Sequence, residues 1–355
     1  MPTTTLPGRQ LLIFLAYCLT GWIGLNLSSY GSQVTLIWPP TGIALFALLG
    51  WGMRMWPAIW LAALLLNLYQ NPVLAPALAI SVGNTLGPLL AAWALRRFGF
   101  QRDFGAARDV FLYIGIGALA GMAVNATVGS ASLVLGGVLP AALLPKVWVT
   151  WWLGDALGAL LVGPALLLAL PGGKRIQAAP VREALAAWTG LILVGLLTST
   201  ALVPPASAMT PYLAFPFLIW LALRGDARQA ALAALLLGGI AVWGALGEVG
   251  HFVNARGEVD LPHLWTYLFL VVLVSLLVTA LRSESARALE ETRRSEAKLK
   301  EAEQLAQLGH WELDPEGDRL TWSDETFRIF EIEPSRAGIG YEAFLAAVHP
   351  DDREK

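Results

Sequence analysis

Charge is the scarcest commodity in this 355-residue chain, at 14% Asp, Glu, Lys and Arg where a soluble domain carries about 25%. The shortage is local. Residues 1–281 hold 13 Lys/Arg and 8 Asp/Glu, and residues 282–355 hold 11 and 18, so 29 of the 50 charges fall in the last 74 positions. The first segment therefore reads as lipid-embedded and the second as solvated. Cysteine is nearly absent: Cys18 is alone within an apolar run, which excludes an intrachain disulfide framework or a CxxC metal pair. The four histidines are scattered: His251 and His263 fall in one loop region, His310 and His349 near the C-terminus. With no paired carboxylates or metal-ligand spacing in the apolar part, no metal site, catalytic residue or enzyme activity is expected of this chain. A nucleic-acid partner is not expected either, and no cofactor is specified.

What is present is a succession of long apolar runs. A helix needs about 20 mostly apolar residues to cross a bilayer, and lipid offers no partners to free backbone groups, so such runs must be helical. Ten are marked, at roughly 10–27, 36–53, 56–70, 74–95, 110–129, 145–170, 185–203, 211–223, 227–246 and 262–281. The third and eighth are short, and half-helices are the alternative there. Arg9 ahead of the first run suits a signal peptide, but no A-x-A site follows, so the run reads as the first span. An N-terminus in the cytoplasm puts Arg9, Arg54, Arg96, Arg97, Arg102, Arg108, Lys174, Arg175, Arg182, Arg224 and Arg228 inside, and leaves only Lys146 and Arg256 outside. An even number of spans, eight or ten, then returns residue 282 to the cytoplasm. The predicted fold class is an all-α polytopic bundle in the bacterial inner membrane, with the lipid bilayer as its first partner and both termini cytoplasmic.

Some residues inside the apolar region are unusual. Trp38-Pro39-Pro40-Thr41-Gly42 opens the second run, and proline is tolerated in a first helical turn because its missing N–H has no partner there anyway. A helix starting at Pro39–Pro40 leaves Gln33 to Trp38 as irregular backbone, which at membrane depth must be buried in protein or line a cavity. The other reading is an ordinary helix start with Trp38 as an interfacial aromatic. Asn26, Asn67, Asn84, Asn125 and Asp155 also fall within spans. Lone asparagines commonly tie helices together, whereas an intramembrane carboxylate is a functional candidate. Trp148, Trp151, Trp152 and Asp155 are spaced three to four apart, on one helix face, suited to a pocket with aromatic walls. The competing reading pairs Asp155 with an arginine or with a neighbouring helix. The candidate ligand-binding residues are accordingly Trp38, Pro39, Pro40, Asn67, Asn84, Trp148, Trp151 and Asp155. Gly115, Gly117, Gly121 and Gly129, with Gly154, Gly158 and Gly163, read as close helix packing.

Beyond Leu281 the character changes. Leu281, Ser285, Ala288, Thr292, Ser295, Leu299, Ala302 and Ala306 follow a 4-3-4-3 spacing, the seam of a two-stranded coiled coil, and predict a homodimer through residues 281–306. An isolated charged helix is the alternative, because only two of the eight are leucine. Ala306–Asp314 and Arg319–Glu325 read as two strands joined by a turn at Pro315–Asp318, and Ser323 reads as the N-cap of a short helix.

Two resemblances follow from these stretches. Ala302-x-x-Leu305-Ala306-x-Leu308-Gly309-x-Trp311-Glu312, then Leu320-x-Trp322-Ser323-Asp324-Glu325-x-Phe327-Arg328-Ile329-Phe330 and a closing His349-Pro350-Asp351-Asp352-Arg353 resemble the N-terminal part of a PAS domain. Trp38 to Ala44, Trp56-Pro57-Ala58, Asn67, Gly83-Asn84 and Trp148 to Gly158 with Pro164 resemble the MASE1 sensor domain over about residues 10–281. The resemblance implies a domain order of 1–281 membrane sensor, 282–305 coiled linker and 306–355 truncated α+β PAS domain. It also implies a signal-transduction role with an unknown stimulus, a small molecule or a membrane protein. The output, a histidine kinase of a two-component system or a cyclic-di-GMP enzyme, is expected beyond Lys355. A transporter-like, solute-binding membrane protein is the alternative, since broken helices and an intramembrane Asp suit it.

Overall fold

A computed structural model describes residues 5–26, 35–70, 72–171, 180–200, 209–254, 258–314, 319–333, 345–346 and 348–352. The chain divides into two compact units, Met1–Glu284 and Ser285–Lys355. The first is helical: α1 Leu6–Asn26, α2 Pro39–Phe46, α3 Trp56–Gln70, α4 Leu74–Arg97, α5 Ala107–Leu112, α6 Gly121–Leu135, α7 Leu144–Ala169, α8 Val181–Thr198, α9 Phe215–Arg224, α10 Ala227–Leu246 and the start of α11, Leu261–Ala306. A π-helical segment, Tyr113–Ala120, joins α5 to α6 without a break, and another, Ala47–Trp51, extends α2.

All ten apolar runs fall on helices. Seven helical stretches are long and apolar enough to cross a membrane, and the helices at Pro39–Trp51 and Thr210–Arg224 are shorter. The second and eighth runs are thus short, along with the 15-residue α3. The second run is not one uniform helix: it widens at Ala47 and stops at Gly52, whose φ of 113° only glycine adopts readily. Gln33, Val34, Lys174, Arg175, Arg256 and the turn at 315–318 lie outside the described residues.

The packing is that of a bundle in an apolar solvent. On α4 the outward residues are Leu74, Leu78, Val82, Leu86, Leu90 and Trp93, a stripe at spacings of four and three, while Ala77, Ser81, Gly83, Gly87, Ala91 and Ala92 are buried. Large apolar side chains face out and small ones face in. Where the surroundings are as apolar as leucine, close backbone approach is what holds helices together. A Cβ at Gly87 would strike the Asn125 side chain of α6, and one at Gly42 of α2 would come 2.7 Å from Val162 of α7. Both π segments borrow partners for their carbonyls: the Trp152 indole donates to Leu119 O at 2.8 Å, and the Arg96 guanidinium donates to Leu48 O. Arginines close other helix ends the same way, Arg228 on Leu170 O and Arg282 on Gly225 O.

The buried face of α11 runs Leu264, Tyr267, Leu268, Val271, Val272, Ser275, Leu276, Thr279, Ala280 and ends there. This is the helical repeat of a packed face. Beyond Leu281 nearly every residue is exposed although the helix continues to Ala306.

In the second unit, β1 Trp311–Asp314 pairs antiparallel with β2 Arg319–Trp322, Trp311 opposite Trp322; the first strand is shorter than the Ala306–Asp314 stretch read from sequence, because α11 runs on to Ala306. Ser323 caps α12, Asp324–Ile329, accepting from Thr326 N. A small core forms where Trp322 meets Phe327 and Phe330 at 5.5 and 4.9 Å. Lys300 pairs with Asp324 at 2.5 Å, which holds that carboxyl below the usual carboxylate range.

Candidate functional site

The site grows from the way α2 meets α7. Pro39 and Pro40 start α2 as expected, and Thr35 to Trp38 ahead of them are non-helical. That backbone is not left bare: Trp38 N donates to Gly154 O of α7 at 3.0 Å. Gly158, one turn further on, lets the Trp38 carbonyl lie directly on the helix, where any Cβ would collide with it. The irregular stretch is half-buried, with Trp38 held against α7.

One turn into α2, Thr41 donates its hydroxyl to Asp155 Oδ1 at 2.6 Å. From the other side the Asn125 amide of α6 donates to Asp155 Oδ2 at 3.4 Å. Asp155 is 6% exposed, and among the described residues no cation pairs with it. Of the two alternatives weighed for Asp155, the interhelical hydrogen bond is the one that forms, each oxygen taking one neutral donor from a neighbouring helix, and no arginine pairs with it among the described residues. Thr41 was in the quoted sequence motif but not among the chosen site residues, and Asn125 read only as helix glue. Neither has a signal in sequence that points to a residue 114 or 30 positions away.

Beside the carboxylate opens a cavity of about 110 Å³. Of the candidate residues, Trp38, Asn67, Asn84, Trp151 and Asp155 line it together. Thr35, Gln70 and Thr150 join them, and sequence reasoning had not chosen those. Tyr17 of α1, 1% exposed, lies close to Trp38 and Asn84, and sequence reasoning had not chosen it either. Pro88 lies four residues after Asn84 and has no N–H, so the Asn84 carbonyl loses its helical partner at the cavity wall.

Three candidate residues are not brought here. Pro39 lines a separate crevice with Leu161 and Leu235, and Pro40 is buried in packing. Trp148 lies nearly two turns from Asp155, where its indole donates to Thr127 Oγ1 at 2.9 Å and stacks on Trp152 at 5.6 Å. The shared face divides by depth and by neighbour. Trp151 leans on Gly129 and opens to the cavity, while Trp148 and Trp152 clasp the helix that runs from α5 to α6.

Chain direction places the cavity. It is built from the last turns of α1 and α3, the first half of α4, the end of α6 and the first turns of α7. In an up-and-down bundle all of these lie at one end, and Arg54, Arg96, Arg97, Arg102 and Arg108 at the other.

A multi-pass helical bundle with a buried carboxylate and an aromatic-walled cavity is the architecture of a membrane-embedded binding or sensing module. The chain belongs to the MASE1 family, whose model matches residues 9–286. MASE1 is a membrane-associated sensory domain of signalling proteins, and this chain is a multi-pass membrane protein carrying it. Comparison with curated proteins and with solved structures returns no match.

Proposed function

We propose that residues 1–281 form the sensory input module of a bacterial inner-membrane signal-transduction protein, with the N-terminus and residue 282 onward in the cytoplasm. The stimulus enters the Asp155 cavity from the periplasmic side, a small molecule in this reading. The carrying observation is the pairing of that cavity with α11, one 46-residue helix that leaves the packed bundle at Ala280 and runs on to Ala306. In the proposed arrangement residues 281–306 pair in a parallel homodimer, residues 306–355 begin a PAS domain, and a kinase or cyclic-di-GMP enzyme follows.

A route from cavity to exit supports this reading. Asn125, which holds Asp155, is on the helix that runs unbroken from Leu135 back to Ala107. At its far end Ala107 N donates to Glu284 Oε1 of α11 at 3.2 Å. Arg282 beside it donates to the end of α9. A displacement at Asn125 thus has a rigid element to travel along and a hydrogen-bonded clasp on the output helix to act upon. Spatial intermediacy is not coupling by itself, so a variant must test it.

The test is Asp155→Asn in the full-length protein. Expression and membrane insertion should be retained while output is abolished or locked. Unchanged output rules the cavity out as the input site. The transporter-like reading draws on the two short, proline-started helices at Pro39–Trp51 and Thr210–Arg224. It assigns no purpose to the exposed half of α11.

A further inference from the structure

We infer that the Asp155 cavity takes a small organic cation, an ammonium-bearing molecule of a few heavy atoms, with the carboxylate as its counter-ion. The inference rests on the cavity being the input site and names the chemistry of what enters.

Four observations carry it. First, the carboxyl has no charged partner. Asp155 accepts one hydroxyl and one amide hydrogen bond and no cation, and the described residues lining the cavity include no Lys, Arg or His. The neutral donors of the lining can meet a neutral guest, but only a cation would give the Asp155 carboxyl a charged partner. Second, the walls are indoles. Trp38 and Trp151 both line the space, and each ring edge lies over a glycine of another helix, Trp38 over Gly24 and Trp151 over Gly129, where an added Cβ would meet the ring. Indole is the strongest of the aromatic partners for a cation, and rings fixed in advance cost little to order. Third, acceptors face the space. The Asn67 amide nitrogen is used within its own helix, donating to Ala63 O at 2.8 Å, so its Oδ1 remains for a donor such as an ammonium N–H. Fourth, the size fits. About 110 Å³ holds several waters or one small molecule. A bare divalent ion is a poor match, because among the described residues no group of three His, Cys, Asp or Glu comes together.

The experiment is isothermal titration of the purified chain in lipid nanodiscs. The probes are methylammonium, ethanolammonium and tetramethylammonium chlorides, with sodium acetate and glycerol as controls. Ammonium probes should bind saturably and the controls should not. Asp155→Asn, checked for a monodisperse elution profile, should weaken binding by more than about tenfold. Trp151→Leu should weaken it about threefold while Trp151→Phe stays close to the parent, and this pair carries the test should Asp155→Asn fail to fold. Undiminished binding in Asp155→Asn, equal binding of acetate or glycerol, or no ammonium binding at all would each overturn the proposal; the last, with pH-dependent proton uptake that Asp155→Asn removes, leaves a proton site instead. The two readings fail separately. Cation binding lost in Asp155→Asn with unchanged output in the full-length protein sinks the input-site role and keeps the ligand class. A locked output without any ammonium binding does the reverse.

Discussion

Gly158→Ala is the sharpest probe of the junction that builds the cavity. The added methyl would run into the Trp38 carbonyl oxygen and come 2.6 Å from its carbon and 3.3 Å from Pro39 N. These are backbone atoms, so no side-chain rotation relieves the clash, and real Cβ contacts under 3.0 Å essentially do not occur. Either the stretch before α2 lifts off α7 or α7 bends. Lifting breaks the 3.0 Å bond from Trp38 N to Gly154 O and withdraws Trp38 from the cavity wall. Overpacking of this kind costs ~1–3 kcal/mol, the upper end where backbone must move, and a buried amide that loses its partner adds about 1–3 kcal/mol. A matched control exists on α10, where a Cβ at Gly239 meets nothing within 4 Å. There alanine only improves helix propensity, worth up to about 1 kcal/mol. Thermal unfolding in one detergent, followed by tryptophan fluorescence and by loss of the monodisperse elution peak, compares the two. Gly158→Ala should unfold several degrees below the parent and Gly239→Ala at or above it. Equal midpoints for the pair would refute the close approach of α2 to α7 and, with it, the geometry of the cavity.

Three further outcomes follow. A cysteine at Leu299 should crosslink across the proposed dimer more readily than one at Lys298, read on a non-reducing gel from membranes; equal yields would remove the seam. Reporter fusions at Pro171 and Ser283 should read cytoplasmic and one at Met209 periplasmic, and a periplasmic Ser283 would invert the orientation. Glu284→Gln keeps an acceptor for Ala107 N but removes the charge, whereas Glu284→Ala removes both; in the full-length protein the alanine should uncouple output from stimulus more than the glutamine, and identical responses would show that the clasp carries nothing.

Much of the helical framework was legible because lipid leaves the backbone so few options. Each apolar run had to be helical, and each carries helix among the described residues, though the second breaks at Gly52 and only seven stretches are long enough to span. Pro39–Pro40 marked a helix start and Ser323 a cap because both signals are local: a missing N–H and a side-chain oxygen reach no further than one turn. The site was only half legible. Asp155, Trp38, Trp151, Asn67 and Asn84 stood out as polar or aromatic residues at expensive depth. Which helix faced which was not written in any one segment, so Thr41 and Asn125 went unassigned as the carboxylate's partners. Trp148 was drawn in by helical spacing, which fixes angle about the axis but not depth along it. Tyr17 gave no sign at all, since a tyrosine in an apolar run reads as an ordinary side chain until the fold buries it beside Trp38 and Asn84.

The energetics of relay set a requirement on this architecture. A ligand moves a bundle only by binding one arrangement better than another. Reversing a two-state equilibrium from 1:99 to 99:1 takes a difference of about 5.5 kcal/mol, and a single coupled site typically supplies ~1–3 kcal/mol. One small cavity with one carboxylate is therefore too weak to switch a strongly biased output alone. In the proposed homodimer, two copies acting on one shared pair of α11 helices would add their contributions and come within reach of it. The bundle is suited to the remainder: its helices meet at glycines such as Gly42, Gly87 and Gly158, where backbone rests on its neighbours and displacement is not absorbed by side-chain rotation. The exposed stretch of α11 makes the complementary demand. It has few large apolar residues along its proposed seam, Leu281 and Leu299 among them, so the proposed pairing would be weak enough for a few kcal/mol to change its register. A stronger leucine seam would hold the dimer better and resist the signal.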